Sequence, residues 1–325
     1  MLSLRLRAKL KMTNPLKPRK PLWKWLARLF LGAAIVALLL SRREVAATVW
    51  STLGAVSPLV MLGAVTFYLA GQILSAWKWQ LLLRARGAEV SLWRCCRIYA
   101  AGMFGNLWLP TNVGGDALRA ALLARALPEL GRAPALASIL VERLTGFFAR
   151  LVLAAGALAL RGADASLWRM LAVAVAFFGA LGALWWLAKR LRHPKIASLR
   201  AALEFYGQRA HRAVLWRALA LSFAFQVSQI LLNIGLAHAT ELDLPARVFW
   251  WLGPLLSLSG LIPAGIGGLG VREAAAVALL RGFPVSSGQI VAWSLLWQAT
   301  VWLASLPGAA FLGDKEQGAG DKVGE

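Results

Sequence analysis

Apolar residues run in long blocks along this chain, and the charged residues collect between them. A membrane-crossing helix needs about 20 mostly apolar residues. Blocks of that kind occur at roughly 23–40, 56–76, 136–160, 167–187, 214–237, 247–262 and 290–312. Two further apolar stretches, 98–112 and 272–282, are shorter and flanked by Gly and Pro. Their breaks predict discontinuous or re-entrant helices, which survive at membrane depth only where protein or a watery cavity covers the open backbone. The predicted fold is all-α: a polytopic integral membrane helical bundle of about seven spans plus two re-entrant or broken segments. It divides into a basic tail over 1–22, a transmembrane domain over 23–312 and a polar tail over 313–325.

Composition agrees with this pattern. Of 325 residues, 59% are hydrophobic and only 15% charged, with 16 Trp and 30 Gly. That much apolar sequence excludes a disordered chain and argues against a soluble enzyme. Lys and Arg number 36 against 14 Asp and Glu, a net +22. The excess sits mainly in the N-terminal tail and in the segments 77–98 and 188–217, which marks those segments as cytoplasmic by the positive-inside bias. Segment 238–246 carries Glu241 and Asp243 and, before Arg247, no cation, so it reads as external. The first 28 residues hold nine cations and no acid, which predicts a retained first helix with a cytoplasmic N-terminus. No nucleic-acid motif accompanies the charge, so nucleic acid is not an expected partner. The two cysteines, Cys95 and Cys96, are adjacent, and the three histidines are far apart, so neither a disulfide framework nor a metal centre is expected; no cofactor is implied.

The informative motif occurs twice. Pro110, Gly114, Gly115, Arg119 and Ala121 recur, at an offset of 153 residues, as Pro263, Gly267, Gly268, Arg272 and Ala274. Pro ends or kinks a helix, a Gly pair allows a tight turn through positive φ, and a new helix can then start with Arg in its first turns. Its N-terminal amides and positive dipole end favour an anion. If the two units enter from opposite faces, they form an inverted repeat with a substrate site between them.

Charges near these breaks extend the candidate site. Glu142 and Arg143 lie within an apolar segment, where ionisable groups usually face a cavity or a partner. Arg150, seven residues on, shares the face of Arg143. Glu142 is expected to pair with Arg119 or Arg272. Asp116 and Arg119 can pair locally. Glu273 follows Arg272 directly, so their side chains diverge around the helix. Asn106, Gln226, Gln229, Asn233 and Gln298 are polar residues in apolar stretches, suited to joining helices or lining a path. Lys78 and Trp79, with Trp77, have the look of an interfacial anchor, as do Trp185–Trp186 and Trp250–Trp251.

Taken in order, the run Gly105-Asn106-Leu107-Trp108-Leu109-Pro110, then Gly114-Gly115-Asp116 and Arg119, then Glu142-Arg143 and Gly146, then Pro263, Gly265, Gly267, Gly268, Gly270, Arg272 and Glu273, resembles the transmembrane domain of the lysylphosphatidylglycerol synthase family, also called flippase-like domain proteins. The resemblance implies a multi-pass protein of the bacterial inner membrane that moves a lipid with an anionic or phosphate-bearing headgroup between leaflets. It implies a substrate site built from these motif residues. The polar tail 313–325 leaves no room for the soluble aminoacyl-transferase domain of some family members, so transport rather than synthesis is expected. A membrane-embedded transferase using Asp116, Glu142 or Glu273 as base is the alternative, and an accessory partner of lipid-synthesis enzymes is a third. The sequence does not fix the oligomeric state.

Overall fold

The computed structural model describes residues 22–108, 112–161, 194–259 and 268–312, with single positions between 168 and 186. Among these residues every regular element is helical. In chain order they are α1 (Leu22–Leu40), α2 (Arg43–Ala55), α3 (Pro58–Arg84), α4 (Leu92–Trp108), α5 (Asn112–Ala126), α6 (Arg132–Arg161), α7 (Pro194–Gly207), α8 (Arg212–Ala239), α9 (Ala246–Ser259), α10 (Val271–Leu279) and α11 (Ser287–Ser305). Short 3-10 turns at Pro128–Leu130, Arg209–His211 and Leu306–Phe311 join or extend them.

Local chemistry sets the ends of these helices. The Ser57 hydroxyl accepts from the Val60 amide, and Pro58 sits where its missing N–H costs nothing, so α3 starts there. It stops before Gly87, whose φ of 76° an L side chain would resist. Ser286 and Gln289 make a reciprocal capping box at the start of α11.

Four helical stretches are long and apolar enough to cross a membrane: Pro58–Arg84, Arg132–Leu160, Arg209–Ala239 and Ser287–Phe311. They match four of the seven expected spans. The apolar part of α1 is shorter, Leu29–Leu40. The 14 residues of α9 reach about 21 Å, less than the hydrocarbon thickness of about 30 Å. Most of the expected span at 167–187 lies outside the described residues, as do nearly all of the two tails. Helices α2 and α7 are additional to the expected elements: the 13 residues of α2 are too few for a span, and the apolar residues of α7 are interrupted by charge.

Four apolar clusters are found among the described residues, and the two largest hold most of the bundle. One joins α8, α9, α10 and α11 around Phe249, Trp251, Leu252 and Trp293. The other joins α3, α4 and α5 around Trp79, Ile98 and Leu123. Beyond the end of α3, Arg86 donates to the Ala202 carbonyl and lies 4.2 Å from the Phe205 ring centroid. The Tyr206 hydroxyl donates to the Leu82 carbonyl at 2.9 Å, fastening α7 to α3. Burial pushes the Tyr206 phenol above its usual value, which keeps this donor protonated.

The α4–α5 hairpin is a very close approach. Gly115 packs against the Gly102 carbonyl, and a Cβ at Gly102 would stand 2.5 Å from Cγ of Arg119. Gly114 and Gly115 are helical here, not the left-handed turn their motif suggested. Their role at Gly115 is close packing. By contrast, Gly268 and Gly270 do take positive φ, 87° and 83°. The two copies of the motif therefore place their glycines in different backbone geometries.

The hairpin makes a checkable demand. Gly115→Ala should lower stability by about 1–3 kcal/mol through overpacking, read as a lower melting temperature in detergent. Gly54→Ala, where a Cβ meets nothing within 4 Å, should leave the melting temperature unchanged or raise it.

Candidate functional site

Side chains of α3, α4, α5, α6 and α8 meet in one network that holds six charged groups, all from α3, α5 and α6. Arg119, on α5, is 1% exposed and Glu142, on α6, is 2% exposed. Their Nη2 and Oε2 atoms are 2.7 Å apart. The Arg119 guanidinium lies between two aromatic rings, 4.1 Å from the Tyr99 centroid and 4.4 Å from that of Trp79. These faces complement the cation in a place water does not reach. Glu142 also accepts from the Tyr99 hydroxyl at 3.3 Å. Lys78 Nζ stands 3.7 Å from Glu142 Oε1 and donates to the Glu142 backbone carbonyl at 3.1 Å and to Ser222 Oγ at 3.2 Å.

Asp116 links this buried centre to the more exposed Arg143. It accepts from Arg119 Nη1 at 3.2 Å, and from Arg143 Nε and Nη2 at 2.8 Å and 2.6 Å. The last pair is a two-pronged guanidinium–carboxylate contact, the strong geometry for these groups. Arg150 lies two turns further along α6, with Nε 3.5 Å from Gln226 Oε1. Four cations, Lys78, Arg119, Arg143 and Arg150, thus face two carboxylates. Among the described residues Arg150 has no carboxylate partner.

A second cation lies elsewhere in the bundle. Arg272, at the start of α10, is 4% exposed. Its guanidinium carbon sits 3.8 Å from the Trp297 centroid and 5.6 Å from that of Trp293. Its Nη2 donates to Asn233 Oδ1 at 3.1 Å. Asn233 is held in turn, its Nδ2 donating to the Gln229 carbonyl at 2.7 Å and its own carbonyl accepting from Trp293 Nε1 at 3.0 Å. Glu273 turns away from Arg272, as the one-residue step requires. It accepts from the Gly270 amide at 2.5 Å and from Ser294 Oγ at 2.9 Å, pinning α10 to α11.

The placement of the sequence-picked residues is therefore uneven. Glu142 pairs with Arg119, not Arg272. Asp116 and Arg143 join that pair. Asn106 accepts from the Gly115 amide at 2.8 Å, and the Gly270 amide is capped by Glu273, so these two N-terminal amides are already satisfied within the chain. Gly114 and Gly268 are backbone features of the two hairpins. Pro110, Pro263, Gly265 and Gly267 lie outside the described residues. Lys78 and Trp79 are not an interfacial anchor: they are 3% and 0% exposed and inside the network. Trp251 is likewise buried, while Trp77 keeps the exposure of an anchor. The sequence reading missed Tyr99 and Trp297 as members of the two cation sites. Helical spacing could have found Lys78, because it shares a face with Ser75, Gly71 and Tyr68 on α3.

Ser222, Gln226, Gln229 and Asn233 recur at steps of four, three and four residues, so they line one face of α8. This stripe joins the two cation sites. Ser222 touches Lys78, Gln226 touches Arg150 and Asn233 touches Arg272. An open cavity of about 400 Å³ beside Arg86, Glu89, Glu129 and Pro134 shares no residue with it.

Comparison with known proteins gives one result of substance. A family model described as the lysylphosphatidylglycerol synthase TM region matches residues 25–308. No curated protein matches the chain. With four helices able to cross a bilayer, the match makes this a membrane protein of a lipid-related family.

Among the described residues Glu142 is the only carboxylate that contacts both Arg119 and Lys78. Glu142→Gln leaves buried Lys78 without a carboxylate and Arg119 with Asp116 alone, and should cost about 3–5 kcal/mol. In a double-mutant cycle with Arg119→Met the losses should be strongly non-additive, by about 1–3 kcal/mol. Additive changes in detergent unfolding would show that the pair is not the hub.

Proposed function

The chain belongs to the lysylphosphatidylglycerol synthase TM region family, and on that premise we propose that it moves a lipid with an anionic, phosphate-bearing headgroup between the leaflets of the membrane. The observation that carries this reading is the polar stripe on α8. Eleven residues separate Ser222 from Asn233, about 16 Å of helix rise and roughly half of the hydrocarbon thickness. A buried polar ladder of that length is costly in lipid unless it lines a path or is matched by polar partners. Here three of its four residues, Ser222, Gln226 and Asn233, each contact a cation.

Charge supports the same reading. The α6 cluster holds two more cations than carboxylates, and Arg272 adds a guanidinium without an ion pair among the described residues. An uncompensated cation inside a bundle is destabilising. An anionic guest offsets that cost as it passes, and its apolar tails can stay in the bilayer. The Lys- and Arg-rich segments 77–98 and 188–217 orient the ladder with Lys78 toward the cytoplasm and Arg272 toward the outside.

The transferase reading is weaker. Its candidate bases are occupied: Asp116 by two arginines, Glu142 by Arg119, Tyr99 and Lys78, and Glu273 by its cap and Ser294. A base needs a free lone pair within reach of the proton it removes.

The test uses full-length protein in vesicles containing phosphatidylglycerol labelled on its tail. Dithionite bleaching of the outer leaflet measures exchange. Wild type should flip the lipid, and Arg150→Gln and Gln226→Leu should each slow it by about tenfold or more, equivalent to roughly 1.4 kcal/mol on the barrier. Exchange no faster than in protein-free vesicles, or no change in either variant, would remove the proposal.

A further inference from the structure

Three buried N–H donors without an acceptor lie at one end of the α8 ladder. They are Arg272 Nε, Trp297 Nε1 and Gln229 Nε2. Trp297 stacks on the Arg272 guanidinium, and Gln229 is one helical turn before Asn233, the residue that holds Arg272. A buried donor left unpaired costs about 1–3 kcal/mol. Two of them, Arg272 Nε and Trp297 Nε1, belong to one stacked pair, and the third, Gln229 Nε2, lies one helical turn away beside Gly71, an arrangement suited to an acceptor that comes and goes.

The arrangement differs from that at Arg119. The Nε of each arginine lacks an acceptor among the described residues, but Arg119 has two carboxylates on its terminal nitrogens, so its charge is compensated within the chain. Among the described residues Arg272 has one side-chain acceptor, the neutral Asn233. Glu273 beside it lowers the cost of burying the charge, but both of its oxygens are engaged elsewhere. Asn233 and the Trp297 ring fix the plane of the guanidinium, and its Nε is left without an acceptor. Guanidinium geometry suits an oxyanion that accepts on more than one oxygen.

We propose that Arg272, Trp297 and Gln229 form a dedicated phosphoryl-oxyanion site, positioned by Asn233, and that Arg119 with Glu142 is a structural hub rather than a second hand on the same ligand. The site deepens the translocation reading and rests on it for the identity of its guest as a lipid headgroup. A free phosphate shares the chemistry that the donors recognise. The first hold on the headgroup phosphate is then asymmetric: Arg272 binds it, and the Arg119 network supports the fold.

Binding is measured on the full chain in uncharged detergent by equilibrium dialysis, with orthophosphate and dihexanoyl phosphatidylglycerol as probes and dihexanoylglycerol as the phosphate-free control. Trp297→Phe keeps the ring and removes one donor. Arg272→Lys keeps the charge and removes the fork. Gln229→Leu removes the third donor. Each should weaken binding by about tenfold or more, as expected for a hydrogen bond to a charged partner, while the control binds to none. Loss of binding by both phosphate-bearing probes in these variants supports the site. Loss with the lipid alone identifies a headgroup, and loss with orthophosphate alone supports the site with a free anion as its guest. No binding by wild type, or equal binding by wild type and all three variants, overturns it. Flipping measured on the same preparation separates the two ideas: flipping without phosphoryl binding removes the site alone, and binding without flipping removes translocation alone.

Discussion

Arg119 and Glu142 meet at 2.7 Å in a region from which water is excluded, and much of the central architecture is arranged around that contact. Neither charge is tolerable there alone. Trp79 and Tyr99 cover the cation, Lys78 and Tyr99 share the carboxylate, and Asp116 ties the pair to Arg143. These residues come from α3, α4, α5 and α6. One electrostatic requirement therefore fixes the mutual placement of four helices. The apolar cores alone would not, because in lipid there is little hydrophobic force to choose one helix partner over another.

Glycine makes that placement possible. At Gly102 and Gly115 the α4 and α5 backbones approach so closely that a methyl group would strike a carbonyl or the Arg119 stem. Arg119 can then lie across α4 and reach α6. The turn before α10 uses glycine differently. Gly270 has a φ of 83° and faces the backbone of α1 at Gly32, and its amide is taken by Glu273. One short sequence pattern, Pro-x3-Gly-Gly-x3-Arg, thus serves two physical ends: close helix packing in one copy and a left-handed turn in the other.

The two arginines of the pattern diverge in the same way. Arg119 is ion-paired to two carboxylates through its terminal nitrogens, whereas Arg272 is stacked on Trp297 and anchored by a neutral amide. Between them runs the polar face of α8, opposite the Gly71, Ser75 and Lys78 face of α3. A bundle with its cations graded along one seam offers an anion successive partners without a deep trap. That is what passage between leaflets requires of any site that must release what it binds.

Much of this was legible in the residues. The long apolar blocks gave the helical membrane class, because only satisfied backbone can lie in lipid. Glu142 announced a partner, since an acid inside an apolar run needs one, and the step from Arg272 to Glu273 foretold that they would part. The polar spacing on α8 was visible as well. What sequence could not decide was which charge meets which. Glu142 had Arg119 and Arg272 within reason, and Lys78 looked like an anchor beside Trp77. Those choices depend on distances between helices far apart in the chain, and helix packing sets them through residues such as Gly102 and Gly115 that carry no charge. The sequence by itself determined that charges would be buried in a helical membrane bundle. Tertiary packing alone decided that Arg119 would be neutralised from within and Arg272 would not, because pairing energy falls off within a few ångströms and only the fold fixes distances that short.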